Sequence, residues 1–179
     1  RAYAPMARAL AEQGFTTLIV NLPWRAAPLA SHEAVVRAHT QALMQTNQKI
    51  TQWVIGGHSR GATIAVRYVH EQPVGLAGLI LIGTSHPKAA AFDLSTTELQ
   101  VMKIYASHDG LASVAEVEAN RHFLPADTQW VRIEGGNHAQ FGYYGSQLGD
   151  QRATISRQEQ QAQLVAAILN FLKEISAKA

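Results

Sequence analysis

Apolar positions along the chain follow two rhythms, one helical and one strand-like, and the two alternate. Ala4 to Gln13 sets Met6, Ala7 and Leu10 on one helical face, and Gly14 stands where a C-cap is expected. Phe15 to Asn21 contains the run Thr17-Leu18-Ile19-Val20, which predicts a central parallel strand covered on both faces and ended by Pro23. After a loop from Trp24 to Ser31, His32 to Gln45 reads as a second helix, apolar at Val35, Val36, Leu43 and Met44. Thr51 to Ile55 is short and rich in β-branched and aromatic residues, so it reads as a strand. Ala62 to Glu71 has the composition of a helix that stops before Pro73.

The second half repeats the alternation. Gly78 to Gly83 is a fully apolar strand, and Thr84 to Leu99 is a polar, small-residue connection with room for a turn or two of helix. Val101 to Ala106 is the next strand, closed by the turn Ser107-His108-Asp109-Gly110. Val114 to Phe123 reads as a helix ended by Pro125. Trp130 to Glu134 is the last strand, followed by Gly135-Gly136-Asn137-His138. Ser156-Arg157-Gln158-Glu159 has capping-box spacing and opens a long helix with Leu164, Ala167, Ile168, Phe171 and Leu172 on one face. Such alternation predicts a doubly wound, mostly parallel α/β sheet in a single domain spanning 1–179, with active groups gathered at the carboxyl ends of strands. The short 84–99 connection leaves no room for a large cap.

Composition narrows the partners. With 179 residues, 47% of them hydrophobic, the chain has ample sequence for a buried core. Formal charge is only +2 and the basic residues are scattered singly, so a pI near 9.1 leaves no nucleic-acid footprint. Cysteine is absent, which removes disulfides, thiol catalysis and thiolate metal sites. No segment is apolar for long enough to span a bilayer. His32, His39, His70, His86 and His122 show no metal-ligand spacing and read as solvated side chains, so neither a metal nor an organic cofactor is expected.

The candidate chemistry sits at three strand ends. Gly57-His58-Ser59-Arg60-Gly61 falls between a strand and a helix, with Ser59 at the corner and small residues two positions to each side, the spacing of a nucleophile elbow. The pentapeptide alone arises by accident in about one chain in twenty of this length, so its context carries the inference. A helix starting just past Ser59 aims backbone N–H groups, including that of Arg60, toward a developing oxyanion. A serine hydroxyl needs a base near neutral pH, and an imidazole base needs a carboxylate to orient it. Asp109 and His138 supply these types in the chain order Ser, Asp, His. Asp109 also fits simple Asp-Gly turn chemistry, with Asp93 and Glu116 as weaker rivals. His138 also fits a loop histidine beside a Gly-Gly turn, with His108 as its nearest competitor. Trp24, His58, Phe141, Tyr143 and Tyr144 are candidates to line an acyl or alcohol pocket, or else to serve as packing aromatics.

On these residues the sequence resembles the α/β-hydrolase superfamily. It is most similar to the α/β hydrolase fold-5, dienelactone-hydrolase-like group, through Arg1-Ala2-Tyr3-Ala4-Pro5, Gly135-Gly136-Asn137-His138-Ala139-Gln140-Phe141-Gly142 and Ala153-Thr154-Ile155-Ser156. The resemblance implies a Ser59, Asp109, His138 triad hydrolysing carboxylic esters, with a small-molecule ester as partner. In the family a strand and a Gly-rich loop precede the first helix, and that loop supplies a second oxyanion donor. The chain is therefore expected to be N-terminally incomplete, the absent strand lying between Phe15–Asn21 and the elbow strand, or else to form a compacted sheet with an incomplete oxyanion hole. Losing one oxyanion donor typically costs about a hundredfold in turnover. An open site suited to small or short-chain esters is expected, with lactone, dienelactone or thioester cleavage open to the same chemistry. The alternative is a non-catalytic α/β-hydrolase-like binding or interaction domain.

Overall fold

The computed structural model describes residues 2–25, 27–71 and 73–178. Its centre is a parallel sheet in which the spatial order follows the sequence: β1 (Trp53–His58), β2 (Leu76–Ile82), β3 (Gln100–Ala106) and β4 (Gln129–Ile133). Helices α1 (Ala4–Glu12) and α2 (Ala30–Thr46) precede the sheet. α3 (Arg60–His70) joins β1 to β2, α4 (Val114–Ala119) joins β3 to β4, and α5 (Arg157–Ser176) closes the chain. Between β2 and β3 the connection holds only a single helical turn at Ala90–Phe92, so no cap covers the sheet among the described residues.

Period-two alternation in the strands explains the layering. Ile80 and Ile82 of β2, with Met102, Ile104 and Ala106 of β3, face α5 through Leu164, Ile168, Phe171 and Ile175, and face α1 through Leu10. Leu79 and Leu81, with Val101, point the other way onto Ala62, Ala65, Val66 and Val69 of α3. A smaller cluster of Ala27, Val36 and Ile64 seats α2 on α3. The caps agree with the local sequence. Gly14 (φ +89°) closes α1 with its N–H on the Ala11 carbonyl and the Phe15 N–H on the Leu10 carbonyl. Ser156 caps α5 by accepting from the Glu159 N–H, while the reciprocal capping box forms instead at Ser113 and Glu116, opening α4.

Two expectations need correction. Phe15–Asn21 is not a strand: it runs without sheet pairing, and Leu18 and Ile19 are 41% and 44% exposed. A strand persists only where neighbours satisfy its backbone, and among the described residues β1 pairs with β2 alone. The helix expected over Val114–Phe123 ends at Ala119, where Asn120 takes over as C-cap and a separate single turn covers Arg121–Phe123.

Candidate active site

The corner between β1 and α3 is a strained turn. Ser59 has φ 54° and ψ −117°, a region that residues with a side chain rarely occupy, and its N–H is tied to the Ile82 carbonyl at 2.9 Å. Its carbonyl accepts from Ala62 and Thr63, so the turn passes directly into α3. The two flanking glycines play different parts. A Cβ on Gly57 would lie 2.3 Å from the Gly61 carbonyl carbon and 2.4 Å from the Ala62 nitrogen, so this position admits no side chain; a Cβ on Gly61 would meet nothing within 4 Å. Arg60 puts its backbone N–H at the first position of α3. Its guanidinium donates to the Ala27 carbonyl and pairs with Glu33, which Arg67 also grips through both carboxylate oxygens at 2.8 Å.

At the ends of β3 and β4 the acid and base candidates meet. His138 Nδ1 lies 2.8 Å from Asp109 Oδ2, and both side chains are buried. The other carboxylate oxygen accepts from the Leu111 and Ala112 N–H groups at 2.8 and 2.7 Å, which fixes the carboxylate plane. An acceptor at Nδ1 places the ring proton there and leaves Nε2 with its lone pair. That Nε2 is buried without a hydrogen-bond partner. The turns carrying the pair are stitched at their bases: Ser107 N–H to the Ile133 carbonyl, His108 N–H to the Gly136 carbonyl, and Gly135 N–H to Ser107 Oγ. The rivals are engaged elsewhere. Asp93 is exposed and caps Ser95, Glu116 sits in the α4 capping box, and His108 turns to Ser107 Oγ.

A family model described as "Alpha/beta hydrolase family" (Abhydrolase_5) matches residues 1–162. The chain belongs to the alpha/beta hydrolase family. A search of curated proteins finds no significant match. Among solved structures, an alpha-beta serine hydrolase homologue from Coxiella burnetii superposes with a TM-score of 0.65 at 14% identity, over 94% of this chain and 74% of that one. A thermophilic esterase from Thermogutta terrifontis gives 0.59 at 15% identity, over 80% and 72%. A predicted CIB-like hydrolase from Thermoplasma acidophilum gives 0.61 at 14% identity, over 83% of this chain and 61% of that chain, so this chain spans about three-fifths of that relative's length. These likenesses concern the fold.

Around the Asp109–His138 pair, the structure of this member of the alpha/beta hydrolase family sorts the aromatic candidates. His58 precedes Ser59, is buried, and packs its ring 4.5 Å from the His138 ring, centroid to centroid. Its Nδ1 lies 2.8 Å from the hydroxyl of Tyr3 and 2.8 Å from that of Tyr144, while its Nε2 is buried without a hydrogen-bond partner. Burial, followed by the neighbouring His138, holds the His58 pKa well below the usual histidine value, so the ring stays neutral. Phe141 is 1% exposed and belongs to the core beneath α5. Trp24 is 83% exposed, and Tyr143 lies under the Arg157 guanidinium on the surface. Phe141, Tyr144 and His138 therefore gather around the His58 ring, while Trp24 is exposed. Of the histidines read as solvated, His39, His70 and His122 are exposed, but His32 and His86 are partly buried. The His86 pKa is lowered to about 4 by burial and by Lys88 and Lys103.

Sequence reasoning misses three residues. Asp150 accepts backbone N–H bonds from the turns of both Asp109 and His138. Gln160, fully buried at the start of α5, accepts from the Asn137 N–H and donates to the Asn137 carbonyl, holding the turn before His138. Lys103 is 2% exposed inside β3, donates to the His86 carbonyl, and is lowered by burial to about 7. Only the apolar surroundings of Lys103 carry a signal, a lone charge inside a predicted strand. Among the described residues no group of three or more His, Cys, Asp or Glu is placed to hold a metal.

Proposed function

We propose that this α/β hydrolase is a serine hydrolase cleaving small or short-chain carboxylic esters through an acyl-enzyme. The observation that carries the reading is the buried Asp109–His138 pair, whose free Nε2 sits one ring contact away from the residue preceding the strained Ser59. In this mechanism Ser59 Oγ attacks the ester carbonyl while its proton passes to His138 Nε2. Asp109 holds Nδ1–H and stabilises the imidazolium, and the Arg60 backbone N–H meets the oxyanion. The imidazolium then protonates the leaving alkoxide, and water, deprotonated by the same nitrogen, releases the acid.

Ser59 Oγ and His138 Nε2 are not hydrogen-bonded to each other in this structure. Such bonds are often long without substrate and tighten in the Michaelis complex. The absence of a cap among the described residues favours short acyl groups that need little enclosure. One observation favours the alternative of a non-catalytic binding domain: β1 has an unpaired edge among the described residues. Hydrolysis of p-nitrophenyl acetate separates the two. Turnover that disappears in Ser59→Ala and falls in His138→Gln supports the esterase, and turnover that survives Ser59→Ala overturns it.

A further inference from the structure

The strap between Phe141 and α5 crosses the two turns that carry Asp109 and His138, and one side chain in it touches both. Asp150 lies twelve residues beyond His138. Its Oδ1 accepts from the Gly110 N–H at 3.1 Å, the His138 N–H at 3.2 Å and the Gln151 N–H at 2.9 Å, and its Oδ2 accepts from the Ala139 N–H at 2.8 Å. Gly110 is the neighbour of Asp109. One carboxylate thus joins the backbone beside the acid to the backbone of the base itself.

The packing is close. A Cβ on Gly110 would fall 2.2 Å from the Gly149 carbonyl oxygen and 2.9 Å from Asp150 Cα, so the strap rests directly on the acid's turn. Asn137 Nδ2 holds the Gln151 carbonyl at 2.7 Å, anchoring the strap on the other side. The stitches through Ser107 and His108 bind the bases of the two turns, whereas Asp150 spans their tips.

We propose that Asp150 is a positioning residue, setting the separation and orientation of Asp109 and His138; the proposal rests on the serine hydrolase reading. A carboxylate is required because both oxygens accept. An amide presents one oxygen and one NH2, so the Asp150→Asn side chain would set a donor against at least one of these N–H groups. Without the bridge the turns keep the stitches at their bases but lose the link between their tips, where Asp109 and His138 sit, and a misplacement of about 1 Å is enough to cost about a hundredfold in rate.

The test compares Asp150→Asn and Asp150→Ala with the wild-type chain. For p-nitrophenyl acetate, kcat is expected to fall about 10- to 100-fold while KM stays within about threefold, because the loss concerns the transition state. The downfield proton resonance of His138 Nδ1–H, assigned by its absence in His138→Gln, is expected to broaden or disappear in both variants. Added formate should restore part of kcat in Asp150→Ala by replacing the missing carboxylate. The proposal is overturned if both variants keep wild-type kcat and an unchanged resonance. It is equally overturned if kcat falls only in step with the unfolding midpoint and formate restores nothing. If the wild-type chain turns over no ester, the hydrolase reading fails, and the resonance alone decides whether Asp150 positions the pair.

Discussion

Replacing Gly57 by alanine puts a methyl carbon 2.3 Å from the Gly61 carbonyl carbon and 2.4 Å from the Gly61 oxygen and the Ala62 nitrogen, where ordinary contact begins at 3.4 Å. Every atom in the way is backbone, so no side chain can swing aside. The first turn of α3 must retreat by about 1 Å, and overpacking of this kind costs about 1–3 kcal/mol. For a chain of this size that lowers the unfolding midpoint by roughly 2–12 °C. The same retreat shifts Ser59 and the Arg60 N–H at the corner, and a displacement of about 1 Å predicts a loss of about a hundredfold in kcat/KM. Gly61→Ala is the internal control. Its Cβ meets nothing within 4 Å, the site lies in the first turn of a helix, and alanine there is expected to stabilise by about 0.5–1 kcal/mol with activity kept. Differential scanning fluorimetry and p-nitrophenyl acetate turnover on the two single variants decide the matter. Equal responses, or a Gly57→Ala variant within about twofold of wild type, refute the assignment of the tight approach to Gly57.

Other expectations follow from single groups. Asp109→Asn keeps the shape of the turn but can set an NH2 against Nδ1–H, and kcat should fall by about 10³–10⁴ while the fold is retained by circular dichroism. Lys103 has a folded pKa of about 7 against 10.5 when unfolded, so the unfolded chain binds the extra proton between those limits and stability should rise with pH from 7 toward 10.5. The slope is at most about 1.4 kcal/mol per pH unit, and urea titrations should show it absent in Lys103→Met. His86 titrates near 4 in the folded chain against 6.5 unfolded, so stability is lost as pH falls from 6.5 toward 4; His86→Asn should flatten that part of the curve.

What is legible in the sequence follows from periodicity and from turn chemistry. β2, β3 and β4 begin and end within about two residues of the patterns that predict them, because apolar residues of β2 and β3 pack against helices on both faces of the sheet and β4 sets Val131 and Ile133 into the same core. Asp109 and His138 stand out by their position after strands, and the parallel order of β3 and β4 brings those ends side by side. Phe15–Asn21 misleads because its apolar run describes a strand's side chains but not its backbone partner. Gly61 misleads because motif spacing treats both glycines alike, while the direction of a Cβ is set by the local turn. Asp150 is invisible for a different reason. It works through backbone N–H groups, which nearly every residue possesses, so no spacing of residue types reveals its partners. The Tyr3–His58–Tyr144 group joins residues from the start, middle and end of the chain, a convergence that only the folded topology creates.

The most direct test of the central claim is fluorophosphonate labelling read by intact mass, on the wild-type chain and on Ser59→Ala and His138→Gln. A single adduct on the wild type, absent from Ser59→Ala and slow to form in His138→Gln, is the predicted result and identifies Ser59 as a nucleophile activated by His138. A folded wild-type chain that takes no label, or one labelled equally without Ser59, contradicts it.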